Sequence, residues 1–348
     1  MQATDLISLY TGDNYIKNLA KQILRLSNSA IHVKGLTGSL PAVIGSSLYK
    51  LADCTQLFIL QDKEEAAYLY TDLQSLFGHK HILLYPAIEQ QLDINLTGAA
   101  TPNLIRNEIL QQLNQQHRSS QLIVTYPEAV ATRVIGHTSL TQHTWVIEQG
   151  EKIVLLDLLD KLISKGFEKV DFVYDAGEFA IRGGIIDIFS YANQLPYRIE
   201  LIGKEIENIR TFNPANQLSI KEVEKAIIFS NKSNLSENVT YQSFLEFLPA
   251  NTCIWFKDYE MILDTIKMQA EQAWIEIKEP PSKNSVKHTL KHNEIAYESP
   301  ESWKENTQRF TCIEFGSRYY LKPKEIVEYK ASPQPNFNQQ FKLLADDL

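Results

Sequence analysis

Short apolar runs alternate with helical patterns in the first third of the chain, and this rhythm limits the folds available to it. Four runs are strand-like: AIHVKGL, QLFILQ, HILLY and QLIVTY. Three stretches between them have helical periodicity: PAVIGSSLYKLA, KEEAAYLYTDLQSLF and NLIRNEILQQLNQQ. Asp62 stands at the N-cap position of the second helix. Strand, helix and strand in this order predict a parallel sheet covered by helices.

The loop after the first strand has the position of a phosphate-binding loop but lacks most of its residues. Such a loop reads G-x-x-x-x-G-K-[ST]. The candidate nucleotide loop consists of Gly35, Thr37, Gly38, Ser39, Leu40, Pro41 and Ala42. Leu40 takes the place of the second glycine, Pro41 that of the lysine, and Ala42 that of the hydroxyl residue. No charge would hold a γ-phosphate and no side chain would bind Mg²⁺. The favoured interpretation is a strand-to-helix connection kept for packing, with only the weak anion affinity of a helix N-terminus.

The pattern changes near residue 144. TWVIEQG is strand-like, and IVLLDLLDKLISKG is a strongly amphipathic helix that ends at Gly166. Strand patterns then dominate: KVDFVY, EFAIRGGIIDIFSY with a kink at Gly183-Gly184, YRIELIG and EIENIRTF. This composition predicts an α+β domain with an antiparallel sheet. In YRIELIG the two-residue period assigns Tyr197, Ile199 and Leu201 to the core, and Arg198, Glu200 and Ile202 to the outer face.

After a polar, serine-rich crossing at SNKSNLSENVT, the α/β pattern returns. NTCIWFKD and RFTCIEFG read as strands on either side of the helix YEMILDTIKMQAEQAW. We therefore predict an α/β domain at 1–143, an α+β domain at 144–229, and a second α/β block at 230–348 packed against the first. The chain closes on an amphipathic start, which suggests the front part of a longer polypeptide.

Composition restricts the function. The chain has 42 acidic and 34 basic side chains, a net charge of −8, which disfavours non-specific binding to nucleic acid. No apolar run approaches the length of a membrane span, and the start does not resemble a signal peptide, so we expect a cytoplasmic protein with no membrane partner.

Other candidate sites are weak. Cys54, Cys253 and Cys312 have no metal-site spacing and are predicted to be packing residues. The pairs His79/His81 and His288/His292 lack acidic or cysteine companions and are predicted to be solvated. Asp187 and Glu200 have no nucleophile to serve. We therefore expect no metal and no catalytic residues.

Three stretches resemble one known family. GEFAIRGGIIDIF, LPYRIELIGKEIENIRTFNPANQLS and the altered loop GLTGS together resemble the N-terminal region of the transcription-repair coupling factor (Mfd) family, which is itself similar to UvrB of bacterial nucleotide excision repair. UvrB keeps an intact Gly-Lys-Thr ending to its loop, whereas the front module of the Mfd family has lost it. The altered loop here therefore favours the Mfd family, and the resemblance implies a UvrB-like three-part architecture.

The resemblance also implies a partner and a site. In this family the second domain carries the docking surface for UvrA, centred on two arginines and one aromatic residue, which fall on Arg182, Arg198 and Ile202 here. Ile202 departs from the pattern because isoleucine cannot stack on a guanidinium. From the residues alone, ordinary surface arginines paired with glutamates remain an alternative. If these residues form the docking surface, we predict that Arg198→Glu abolishes UvrA binding without lowering stability.

By the same resemblance the segment is a non-catalytic adaptor that recruits UvrA to stalled transcription complexes and restrains the rest of the full-length protein. That rest would be an ATP- and Mg²⁺-dependent DNA translocase that also binds RNA polymerase. Two other readings stay open: residual nucleotide binding at the altered loop, and UvrB-like binding of damaged DNA.

Overall fold

The computed structural model describes residues 3–25, 28–77, 82–88, 102–114, 120–230, 240–278 and 297–331. The helices are α1 Ala3–Gly12, α2 Asn14–Arg25, α3 Leu40–Ala52, α4 Lys63–Phe77, α5 Pro102–Asn114, α6 Pro127–Val130, α7 His137–His143, α8 Leu155–Ser164, α9 Phe244–Phe247, α10 Tyr259–Lys278 and α11 Pro300–Thr307. The strands are β1 Ala30–Lys34, β2 Gln56–Ile59, β3 Ile82–Leu84, β4 Leu122–Thr125, β5 Val134–Ile135, β6 Thr144–Glu148, β7 Glu168–Lys169, β8 Glu178–Arg182, β9 Ile185–Ile188, β10 Tyr197–Ile202, β11 Glu205–Phe212, β12 Ser219–Glu222, β13 Lys225–Phe229, β14 Tyr241–Gln242, β15 Cys253–Phe256, β16 Thr311–Phe315 and β17 Pro323–Glu328.

The larger sheet of the described residues has seven parallel strands in the order β17-β1-β16-β15-β2-β4-β3. The parallel sheet predicted from the strand–helix rhythm is therefore present. The position of β15 and β16 differs from the prediction, because both lie inside this sheet, between β1 and β2. The expected second α/β block does not build a sheet of its own there; its strands complete the first one.

Burial on both faces explains why the central strands are so apolar. Every residue of β2, β4 and β15 is buried, as is usual for parallel strands covered by helices. The rings of Phe58 on β2 and Trp255 on β15 stack with centroids 5.0 Å apart. Gly45 of α3 lies against Phe58, and a Cβ there would come within 2.4 Å of the ring. The absence of a side chain at residue 45 thus lets α3 pack closely on the sheet.

Local signals set the helix starts. Pro41 lies in the first turn of α3, where its missing N–H costs no helical hydrogen bond. The carboxylate of Asp62 accepts a hydrogen bond from the Glu65 N–H at 2.8 Å, which caps α4 as the sequence predicts.

The second sheet lies within residues 144–229 and has six strands in the order β12-β11-β10-β9-β8-β7. Its pairings are antiparallel except for β7 with β8. One face packs on α8 and on the β6–β13 ribbon through a core of aliphatic and aromatic residues. The antiparallel sheet of the predicted α+β domain is therefore present.

Two details of this sheet differ from the prediction. KVDFVY is not a strand, since β7 ends at Lys169 and Val173 instead lies buried against the second face of the sheet. Gly183-Gly184 is not a kink within one strand. It is the two-residue turn of the β8–β9 hairpin, in which Arg182 pairs with Ile185 and Gly183 has φ +61°.

Several sequence predictions concern other parts of the chain. Cys54, Cys253 and Cys312 are free and buried, which confirms that they are packing residues. Among the described residues no group of three or more His, Cys, Asp or Glu could hold a metal ion, and no helix combines the length and apolarity that crossing a bilayer requires. His79, His81, His288, His292 and the amphipathic C-terminal stretch lie outside the described residues.

Candidate functional site

The candidate docking residues gather on the second face of the six-stranded sheet. The β8–β9 and β9–β10 pairings place Ala180 opposite Asp187 and Asp187 opposite Arg198. On β10, Tyr197 and Ile199 are buried on the first face while Ile202 is 67% exposed, as the two-residue period predicts. The sheet register therefore brings Arg182 and Arg198, which are 16 positions apart in the chain, to one carboxylate.

That carboxylate, Asp187, is fully buried and binds both guanidinium groups. Arg198 donates from Nε to Oδ1 at 2.7 Å and from Nη2 to Oδ2 at 2.9 Å. Arg182 donates from Nη2 to Oδ2 of the same residue. The hydrogen bonds to Asp187 raise the pKa of Arg198 above its usual value. A buried carboxylate of this kind is stable only because two cations and a set of directed hydrogen bonds compensate its desolvation.

Neighbouring segments hold the two arginines in place. The ring of Phe172 lies 4.8 Å from the Arg182 guanidinium, and the ring of Phe212 lies 4.2 Å from that of Arg198. Arg182 also donates to the carbonyl of Asp171 at 2.8 Å. These contacts fix the planes of both guanidinium groups, since cation–π attraction favours stacking on the ring face.

Gln217 accepts two further hydrogen bonds from Arg198. Its backbone carbonyl accepts from Arg198 Nη1 at 3.1 Å, and its side-chain oxygen accepts from Nη2 at 3.2 Å. Its amide nitrogen in turn donates to the carbonyl of Val173 at 3.1 Å. Gln217 has φ +61°, an unfavourable conformation for a side chain other than glycine, so the surrounding contacts must stabilise it.

This geometry contradicts one prediction from the sequence. Arg198 cannot be exchanged for a glutamate without cost, because the new carboxylate would lie beside the buried Asp187. In the alternative of arginines paired with glutamates, the acidic partner differs, since both arginines bind Asp187. Glu200 instead pairs with Arg210 on the next strand.

The importance of Asp187 was missed from the sequence. Two registers place it: the hairpin at Gly183-Gly184 brings Asp187 close to Arg182, and the separate pairing of β9 with β10 brings it beside Arg198.

An acidic cleft lies on the same domain and includes Glu200 of β10. It has a volume of about 370 Å³ and is lined by Gln149, Glu200, Glu207, Asn208, Glu222, Val223 and Glu224. Four glutamates line this cleft, which disfavours a polyanion there.

The altered loop has been closed by the chain itself. Gly35 has φ +77°, and a Cβ at this position would come within 1.9 Å of the Tyr329 carbonyl oxygen. The Tyr329 N–H donates to the carbonyl of Lys34 at 2.9 Å, which holds that strand end against the loop. Pro41 and Ala42 are buried in the first turn of α3. The loop thus does not fit a triphosphate with Mg²⁺ in the manner of a P-loop, since Pro41 and Ala42 stand at the positions of the phosphate-binding lysine and the Mg²⁺-binding hydroxyl.

A second feature typical of nucleotide sites is an aspartate at a strand end, and here that residue caps a helix. In P-loop enzymes an aspartate at the end of a nearby strand holds Mg²⁺. Asp258 occupies such a place, just after β15, and is mostly buried. Its carboxylate accepts from the Met261 N–H at 3.2 Å and so caps α10. The residue has a structural partner within the fold.

Comparison with known proteins agrees with this picture. Residues 146–233, which include the arginine cluster, match the family model of the UvrB interaction domain. The transcription-repair-coupling factor of Bacillus subtilis is 34% identical over 188 residues, which is 54% of this chain and 16% of the relative. Those of Staphylococcus haemolyticus and Staphylococcus aureus USA300 are each 28% identical, over 57% and 65% of this chain.

The matched part spans 16% to 19% of the length of these curated relatives. The resemblance identified from the sequence is confirmed: residues 146–233 match the UvrB interaction domain, and 54% to 65% of this chain is similar to part of the transcription-repair-coupling factors.

Proposed function

We propose that this chain is a non-catalytic docking module that recruits UvrA, the excision-repair protein, to stalled transcription complexes in the cytoplasm. The observation that carries the proposal is the cluster of Arg182 and Arg198 on buried Asp187, with Ile202 exposed on the same face. This cluster lies inside the segment that matches the UvrB interaction domain. Arginine with a neighbouring apolar anchor is the combination that protein interfaces favour.

The proposal includes a longer protein, because the matched part covers less than a fifth of the coupling factors. The translocase activity, its ATP and Mg²⁺, and the contacts with DNA and RNA polymerase would belong to the remainder. In that protein other domains would cover the docking face, and this contact would restrain the motor. UvrA and the motor would then compete for the same surface.

Two rival functions make opposite predictions. Residual nucleotide binding at Gly35–Ala42 predicts that ATP with Mg²⁺ raises the melting temperature. Damaged-DNA binding predicts an affinity that falls steeply with salt. The filled loop and the acidic cleft favour docking over both, so we expect no nucleotide-induced shift and no salt-sensitive DNA affinity for this chain.

The direct test is capture of UvrA by the wild-type chain and by Ile202→Glu. Ile202 is 67% exposed, so a glutamate there changes the face while leaving the core intact. Leu156→Glu is the matched control, since Leu156 is 70% exposed on α8, which packs on the opposite face of the same sheet.

We expect Ile202→Glu to weaken UvrA binding at least about tenfold, a change of about 1.4 kcal/mol in binding free energy. Leu156→Glu should bind like the wild type, and both should melt close to it. Equal capture by the two variants would contradict the proposed docking surface.

A further inference from the structure

The two arginines of the cluster differ in how much of their hydrogen-bonding capacity the fold uses. A guanidinium carries five N–H donors. Arg198 makes four hydrogen bonds to acceptors in its own domain, two to Asp187 and two to Gln217, and its side chain is 13% exposed. Arg182 makes two, to Asp187 and to the Asp171 carbonyl, and is 34% exposed.

The electrostatic balance of the cluster also leaves one charge uncompensated. Two guanidinium groups share the single carboxylate of Asp187, while Arg210 is neutralised separately by Glu200. One positive charge therefore remains for an external anion. It is more accessible on Arg182 than on Arg198, because Arg182 keeps more free donors and more exposed surface.

We infer that Arg182 is the arginine that contacts the partner, and that Arg198 is a positioning residue that holds Asp187, and through it Arg182, in place. This inference rests on the proposed docking function. It assigns different roles to Arg182 and Arg198, which the sequence resemblance treats as equivalent.

The same geometry defines what the partner must present. Three donors of Arg182 remain unused among the described residues, enough for a two-point hydrogen bond to a carboxylate. Phe172, half exposed, covers one face of this guanidinium, and Ile202 is exposed on the same side of the sheet. The matching feature on the partner is an aspartate or glutamate next to an apolar side chain.

The test compares Arg182→Gln with Arg198→Lys. UvrA affinity is measured at low and high salt, and the melting temperature is recorded for each variant. Arg182→Gln should weaken binding at least about tenfold and remove most of its salt dependence, because it deletes the contacting charge. Its melting temperature should fall by less than that of Arg198→Lys, since Asp187 keeps both hydrogen bonds from Arg198.

Arg198→Lys should lower the melting temperature, because a lysine cannot reproduce the forked hydrogen bonds to Asp187 and Gln217. Its affinity should fall less than that of Arg182→Gln, and its salt dependence should persist. A role confined to stability would leave the salt dependence of both variants unchanged.

Two results would overturn the inference: wild-type affinity of Arg182→Gln, or a larger loss of affinity for folded Arg198→Lys than for Arg182→Gln. Ile202→Glu, measured beside them, separates this inference from the proposed function. If Ile202→Glu loses binding and Arg182→Gln does not, only the division of roles is wrong. If neither loses binding, the docking surface itself is wrong.

Discussion

Replacing Gly35 by alanine tests whether the altered loop now serves packing alone. In a working phosphate loop, glycines let the backbone approach a ligand. Here the space beside Gly35 is filled by the Tyr329 carbonyl, which would lie 1.9 Å from a new Cβ. Gly38 has a similar backbone, with φ +57°, but nothing lies within 4 Å of a Cβ there. Gly38→Ala is therefore a control that shares the backbone strain and lacks the clash.

The magnitude follows from these contacts. A left-handed conformation costs a residue with a Cβ about 1–2 kcal/mol, and the alanine recovers about 0.4–1 kcal/mol by restricting the unfolded chain. Gly38→Ala should therefore destabilise by about 1 kcal/mol or less. Gly35→Ala adds an overpacking cost of about 1–3 kcal/mol and weakens the hydrogen bond from Tyr329 to Lys34, worth about 1 kcal/mol. We expect a total near 3 kcal/mol for Gly35→Ala.

Urea unfolding followed by tryptophan fluorescence measures the difference, because Trp255 and Trp303 are fully buried in the core around the larger sheet. The two midpoints convert to free energies through the slope of the transition. Equal destabilisation by the two substitutions would refute the reasoning, since it would mean that Tyr329 does not restrict residue 35.

Two further predictions concern buried groups. Arg198→Glu should lower the free energy of unfolding by about 3–5 kcal/mol, the usual effect of breaking a buried ion pair. Urea unfolding followed by tryptophan fluorescence, to which Trp145 of this domain contributes, checks this; a loss below about 1 kcal/mol would contradict the assigned geometry. Burial raises the pKa of Cys54 to about 11 and that of Cys312 to about 12, so at pH 8 the three buried thiols should react with a disulfide reagent only as the protein unfolds. Rapid labelling of native protein would show that the thiols are accessible.

Local patterns in the sequence were sufficient for several elements. Asp62 caps α4 and Pro41 opens α3 because each effect depends on residues within one helical turn. The outward direction of Ile202 follows from alternation along a single strand.

Predictions that depend on distant pairing were less successful. The location of β15 and β16 between β1 and β2 depends on pairing between distant strands, such as Gln56 with Cys253 and Ala30 with Cys312, and no local pattern carries that information. The approach of Asp187 to Arg182 depends on the hairpin at Gly183-Gly184, and its pairing with Arg198 depends on the register of β9 with β10. A two-residue Gly-Gly turn between strand patterns is itself a hairpin signal, so the sequence does contain the information for this turn.

The β6–β13 ribbon affects the order in which parts of the protein can fold during synthesis. Thr144 pairs directly with Phe229, so the segment that contains the second sheet begins and ends at neighbouring points. Residues 144–229 can thus form their sheet as soon as they are synthesised, whereas β1 and β2 must wait for residues 253–315 to fill the gap between them. Until residues 253–315 emerge, β1 and β2 would have open edges, which are the sites where unfinished proteins associate.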